Sequence, residues 1–217
     1  MDYKNILFDL DGTLTDPKEG ITNSVAYALK HYGIEVENKN TLCTFIGPPL
    51  IHSFSKYYGF DEKKCTDAVE VYREYFSKKG IFENELYEGI IPLLELLRSK
   101  HLRLFIATSK PERFACEIAR HFGFDKYFEA IRGIPMDGEK MTKGEVIAKL
   151  LREFSLDTSD TLMVGDRSYD VAGARENGLD CVGVLYGYGD RRELENAGAK
   201  YIVQDIQELT NFFEGTK

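Results

Sequence analysis

Ile6-Leu7-Phe8-Asp9-Leu10-Asp11-Gly12-Thr13-Leu14-Thr15 decides how the rest of the chain is read. The apolar run Ile6-Leu7-Phe8, with a turn signal behind it, predicts a strand buried on both faces. Such a strand carries Asp9 to its carboxyl end, where open α/β sheets bind ligands. Asp11 follows two residues later, and Gly12 allows a sharp turn with φ > 0. A carboxylate fixed at a strand end can act as a nucleophile, and a second one two positions on can donate and accept protons. The chain between them offers carbonyl oxygen to a hard cation. Taken alone, the same residues also fit an ordinary Asp-Gly turn. Three later segments bear on the choice.

Outward from this stretch the texture changes twice. Gly20 to Tyr32 carries Ile21, Val25, Ala28, Leu29 and Tyr32 at helical spacing, with Gly33 as a stop. Leu50 to Tyr58 and Cys65 to Phe76 repeat the pattern, ended by Gly59 and Gly80, and Asp61 suits the N-cap of the second. Residues 16–84 therefore read as helical, with the stiff loop Phe45-Ile46-Gly47-Pro48-Pro49 between helices. From Gly89 onward, helix and strand alternate. Strands are expected at Leu102–Ala107, Phe128–Arg132, Thr161–Val164, Cys181–Leu185 and Tyr201–Val203. Thr108-Ser109-Lys110-Pro111 ends the first of these strands, and helices are expected at Pro92–Lys100, from behind Pro111 to His121, and at Lys143–Phe154, Val171–Asn177 and Ile206–Phe213. That alternation predicts an α/β fold with a doubly wound parallel sheet, interrupted after its first strand by an α-helical insertion. The expected division is a core of 1–15 and 85–217 with a helical cap of 16–84.

A chain of 217 residues can bury one large core plus a smaller one. A net charge of −8 argues against a nucleic-acid backbone or an anionic membrane as partner, but leaves small anionic substrates open. Cys43, Cys65, Cys116 and Cys181 are scattered without a CxxC pair, which predicts reduced thiols in a cytoplasmic protein. No apolar run approaches the roughly 18 residues of a membrane span.

The predicted strand ends carry complementary polar groups. Asp9 and Asp11 follow the first strand, Thr108 and Ser109 the second, Asp166 and Asp170 the fourth, and Lys143 opens the helix before the fourth. If the first strand lies mid-sheet, these groups converge on one edge. Crowded carboxylates repel by about 4 kcal/mol per pair at 4 Å and an effective dielectric of 20, so a cation must offset them. All-oxygen ligands point to Mg2+. Lys143 adds positive charge, and Thr108 and Ser109 add donors for phosphate oxygens. Those are the parts that phosphoryl transfer needs.

On these residues the chain resembles the haloacid dehalogenase superfamily. Asp9-Leu10-Asp11-Gly12-Thr13 matches its DxDGT signature, Thr108 its hydroxyl residue, Lys143 its phosphate-binding lysine, and Gly165-Asp166-Arg167-Ser168-Tyr169-Asp170 its GDxxxD signature. The insertion resembles the cap that the family places after the first strand. The resemblance implies that Asp9 attacks phosphorus, and that Asp11 protonates the leaving oxygen and then activates water. It implies Mg2+ held by Asp9, the Asp11 carbonyl and Asp166, with Asp170 in support. Gly12 and Thr13 would join Thr108, Ser109 and Lys143 around the phosphate. Within the superfamily, Asp11 disfavours dehalogenation, and Ile21 stands where β-phosphoglucomutases carry a cap histidine. The branch most similar is the phosphoglycolate-phosphatase-like hydrolases. A 5′-nucleotidase or a sugar-phosphate phosphatase fits the same residues, and a non-catalytic phosphate-binding module is the alternative from another class. The expected partner is a small phosphorylated metabolite, without nucleic acid or membrane, and the expected state a monomer or homodimer.

Gly47, Pro48 and Pro49 are the expected substrate contacts of the cap, with a rigid helix connection as the alternative. Lys110 and Lys140 rival Lys143 for the phosphate. His52 and Arg132 read either as site or as surface residues, Thr158-Ser159-Asp160 as a turn, and the cap tyrosines Tyr57, Tyr58, Tyr72 and Tyr75 as packing.

Overall fold

The computed structural model describes residues 3–136 and 141–215. The chain opens with β1 (Asn5–Phe8), whose four residues are all buried, and the two-residue β2 (Thr15–Asp16). Three helices follow: α1 (Lys18–His31), α2 (Leu50–Tyr58) and α3 (Glu62–Tyr75). The chain then runs through β3 (Glu85–Leu86), α4 (Ile90–Ser99), β4 (Arg103–Pro111), α5 (Glu112–His121) and β5 (Ala130–Ile134). It closes with α6 (Lys143–Glu153), β6 (Thr161–Gly165), α7 (Ser168–Glu176), β7 (Asp180–Val184), α8 (Arg191–Ala197), β8 (Tyr201–Val203) and α9 (Ile206–Gly215). Two compact units result, Pro17–Glu85 and the remainder of the chain.

In the larger unit six parallel strands stand in the order β5-β4-β1-β6-β7-β8. β1 lies between β4 and β6, with Phe8 level with Ile106 on one side and Val164 on the other. Strand order reverses around β1, so its carboxyl end is the topological switch point at which such sheets bind ligands. Leu7, Phe105 and Met163 pack with Val146, Ile147 and Leu150 of α6. The apolar strand sequences follow from this two-sided cover.

In the smaller unit, helices of 9 to 14 residues are marginal by themselves in water, so packing must hold them. Leu29, Phe45, Phe54 and Ala68 are fully or almost fully buried there. Asp61 accepts the Lys64 amide at 2.8 Å as the N-cap of α3. Gly47 takes φ +98° ahead of Pro48 and Pro49, and Pro49 precedes α2.

Three of the sequence expectations are corrected here, and one helix is added. β4 runs on past Ala107 to Pro111, because it pairs again with β5 after a register break. The strand expected at 128–132 is Ala130–Ile134; Tyr127 and Phe128 close a short 3-10 turn instead. α7 starts at Ser168, three residues earlier than its apolar stripe, because Asp170 and Arg167 cap its first turn. α8 has one buried residue, Leu194, and so lacks the apolar stripe by which a helix is read.

Candidate active site

The site grows from three adjacent strand ends. Asp9 leaves β1 with its amide on the Val164 carbonyl at 2.9 Å, which seats it beside β6. Asp166 leaves β6 and Asp170 sits in the first turn of α7, where a carboxylate favours the helix dipole. Ligand oxygens of Asp9, Asp166 and Asp170 all lie within 4.8 Å of one another, and all three residues are buried. At that separation each charged pair repels by about 3–4 kcal/mol at an effective dielectric of 20. Burial pushes the Asp166 carboxyl well above the usual range, with Asp170 and Asp9 adding to the effect and the Tyr188 amide opposing it. Burial and Asp9 likewise push Asp170 up to about 6, against the pull of Lys143.

Lys143 is the cation built into this cluster. Its ammonium lies 2.7 Å from Asp9 Oδ1 and 2.8 Å from Asp170 Oδ1, and donates to the Ala107 carbonyl at 3.0 Å. The start of a helix is a poor place for a positive charge. Thr142 and Glu145 fix it there through a reciprocal capping box, at 3.2 and 2.7 Å. Burial favours the neutral amine, but Asp170 and Asp9 outweigh it and hold Lys143 protonated. Asp9 Oδ1 and Asp170 Oδ1 form no aligned hydrogen bond among the described residues, so both retain lone pairs for another electropositive partner.

Asp11 stands apart from the cluster. Its Oδ2 takes Lys110 Nζ at 2.6 Å, and its buried Oδ1 has no hydrogen-bond partner among the described residues. Burial raises the Asp11 pKa and Lys110 restrains the rise. The expected Asp11 contribution to a cation therefore falls to its backbone carbonyl, since its carboxylate faces Lys110. Gly12 turns the chain at φ +83°, and a Cβ there would fall 2.3 Å from Asp166 Oδ2. Gly12→Ala is expected to cost on the order of 1–2 kcal/mol from the positive φ alone and to displace Asp166. Thermal unfolding of the variant measures the first effect, and its cation affinity the second.

Among the other expected residues, Thr108 is buried, and its hydroxyl oxygen accepts the Lys110 amide at 3.2 Å while keeping a proton to donate; Ser109 is half-buried beside it. Thr13 lies beside the acidic cluster: its amide bonds the Leu10 carbonyl and its hydroxyl points at Asp166 Oδ1, 3.4 Å away. The Gly12 amide is likewise used on the Thr15 carbonyl, at 2.8 Å. Lys110 pairs with Asp11 and Lys143 with Asp9 and Asp170, while Lys140 lies outside the described residues. Arg132 is engaged by Glu153 at 2.5 Å and by Glu112 at 4.0 Å. His52 is exposed on α2. Thr158-Ser159-Asp160 forms a short turn capped by Asp157. Tyr72 is buried, Tyr57 and Tyr58 ring-pack on Phe45, and Tyr75 bonds Glu83.

The haloacid dehalogenase-like hydrolase family model matches residues 6–184. The chain belongs to that family. It is 48% identical over 212 residues to a 5′-nucleotidase of Pseudomonas aeruginosa, covering 98% of this chain and 96% of that protein. It is 42% identical over 184 residues to the tyrosine-protein kinase PtkA of Mycobacterium tuberculosis, of whose length it spans 62%. A crystal structure described as a "predicted phosphatase" from Clostridium acetobutylicum superposes with a TM-score of 0.95 at 48% identity, over 98% of both chains. No helix among the described residues is long and apolar enough to cross a membrane.

Proposed function

We propose that this haloacid dehalogenase-like hydrolase is a Mg2+-dependent phosphatase of small phosphomonoesters, working through an aspartyl-phosphate on Asp9, and that 5′-nucleotides are its substrate class. The observation that carries the reading is the buried charge balance. Asp9, Asp166 and Asp170 share Lys143 as their built-in cation, so the ionised cluster keeps two negative charges for a divalent cation to match. The unaligned Asp9 Oδ1 and Asp170 Oδ1 and the all-oxygen donor set fit Mg2+. Asp9, Asp166 and the Asp11 carbonyl would hold it. When bound, Mg2+ supplies charge neutralisation to the phosphoryl group.

The chain's own groups account for the remaining steps. Asp9 presents a carboxylate oxygen to phosphorus, with Lys143 holding the side chain and facing the phosphoryl oxygens. Thr108 and Ser109 offer donors to those oxygens from the neighbouring strand end. Asp11, whose pKa burial raises against the pull of Lys110, gives a proton to the leaving oxygen; it then takes one from the water that opens the acyl phosphate. The similarity to the Pseudomonas 5′-nucleotidase over nearly the whole chain supports the nucleotide reading. The similarity to a tyrosine-protein kinase supplies the rival reading, in which a tyrosine phenol replaces water as acceptor.

A turnover screen tests the reading with 5′-nucleotides, 2-phosphoglycolate, sugar phosphates and pyrophosphate, each with and without a tyrosine peptide. The expected result is free phosphate from nucleoside monophosphates and no phosphopeptide. Exhaustive chelation is expected to abolish that turnover and Mg2+ to restore it. Ca2+ should not, because its looser coordination lets Asp9 bind through both oxygens. Full activity in chelator contradicts the cation assignment. In the helical unit, Pro48 and Pro49 are proposed as leaving-group contacts. Exchanging both for larger polar residues is expected to change relative kcat/KM among natural substrates by about tenfold while sparing an aryl phosphate; an equal factor on every substrate refutes that assignment.

A further inference from the structure

Residues 185–190, the loop after β7, take no part in these steps, yet they touch several separate pieces of the larger unit. The Tyr186 phenol donates to the Thr13 carbonyl at 2.9 Å, and its ring meets that of Tyr87 edge-on at 5.1 Å. The Tyr188 amide donates to Asp166 Oδ2 at 2.8 Å, and the Tyr188 phenol donates to Asp16 Oδ1. The loop's backbone lies directly on the acidic turn. A Cβ on Gly187 would stand 2.3 Å from the Gly12 carbonyl oxygen and 2.4 Å from Asp166 Cβ, and one on Gly189 would stand 1.9 Å from the Asp166 carbonyl oxygen. Asp16 is the last residue before the chain crosses into the helical unit, and Tyr87 is the second after it returns.

Of the two bonds on the Asp166 carboxylate among the described residues, the Thr13 hydroxyl is long at 3.4 Å, whereas the Tyr188 amide is short at 2.8 Å. The amide therefore sets the rotation of the carboxylate. At its other end the same residue is held by the Tyr188 phenol, which makes a charge-assisted bond to Asp16.

We propose that Tyr188 is a positioning residue for Asp166, and that its bond to Asp16 couples the cation site to the first crossing between the units. The proposal rests on the cation reading above. Groups that orient a metal ligand commonly change metal affinity by 10–100-fold when lost. Coupling of this kind is reciprocal, so a cation on Asp166 should also order the backbone around residue 16.

Tyr188→Phe keeps the ring and the amide and removes only the hydroxyl, while Asp16→Ala removes its partner. Mn2+ serves as the probe, its uptake by the metal-free proteins followed through the paramagnetic resonance of the free ion. The wild type is expected to bind it, each variant about tenfold more weakly, and the double variant no more weakly than either single one. Melting in chelator identifies any variant that has lost its fold, and the other then carries the test. Hydrogen exchange at residues 14–18 is expected to slow when Mg2+ is added to the wild type and not when it is added to Tyr188→Phe. Wild-type Mn2+ affinity in a folded single variant, or full additivity of the two losses, overturns the proposal. No Mn2+ binding by the wild type overturns the cation reading itself, and this proposal with it.

Discussion

Asp9→Asn is expected to abolish turnover, by on the order of 10⁶ in kcat, as loss of a nucleophile does elsewhere. The amide has nearly the shape of the carboxylate but lacks the charge that attacks phosphorus. Folding should survive, because Lys143 keeps Asp170 at 2.8 Å and the acidic cluster loses one of its repelling members. Asp11→Asn is expected to come close to the same loss, since it removes the proton that the leaving oxygen needs. The double variant should then be little worse than Asp9→Asn alone, because both residues act as one unit along the same covalent route and such effects do not add. Steady-state rates of the three variants under saturating Mg2+ decide this. Multiplicative losses would mean that the two carboxylates act in separate steps.

Lys143→Met has the second largest expected effect, and it touches stability as well as rate. Removing the ammonium strands Asp9 and Asp170 in a buried place with no built-in countercharge, a change that typically costs about 3–5 kcal/mol. For a chain of this size that corresponds to a fall in melting temperature of roughly 6–20 °C. Added Mg2+ should recover part of the loss, since it supplies positive charge to the same carboxylates. The rate should stay low even then, by a factor of about 10²–10³, because a preorganised charge facing the phosphoryl oxygens is gone. Melting curves with and without Mg2+ separate the two effects. A variant as stable as the wild type in chelator would contradict the assignment of Lys143 as the cluster's own cation.

Much of the fold was legible in the sequence because its signals are local. Ile6-Leu7-Phe8 announces a strand buried on both faces, and Leu50–Tyr58 carries a helical stripe closed by Gly59. α8 was not legible, because a surface helix with only Leu194 buried has no stripe. The far end of β4 was missed because Thr108-Ser109-Lys110-Pro111 reads as a turn, and only pairing of Pro111 with Ile134 extends it.

The acidic residues of the site were legible through their spacing after strand ends. Lys110 and Lys143 read alike in the sequence, which cannot show that one pairs with Asp11 and the other with Asp9 and Asp170. That the Thr13 amide meets the Leu10 carbonyl and its hydroxyl faces Asp166 is likewise a fact of three-dimensional closure, with no local signal in the sequence. Tyr188 left one faint signal, the alternation Tyr186-Gly187-Tyr188-Gly189. Its two glycines mark a backbone that lies against another backbone.

The central claim, that the phosphoryl group rests on Asp9, is tested most directly by trapping it. Enzyme turning over a 5′-nucleotide in Mg2+ is quenched in acid, the acyl phosphate is reduced with borohydride, and the modified residue is located by mass spectrometry. Homoserine at position 9, absent when substrate is omitted, is the expected result. Reduction at any other residue, or none during active turnover, would contradict the account.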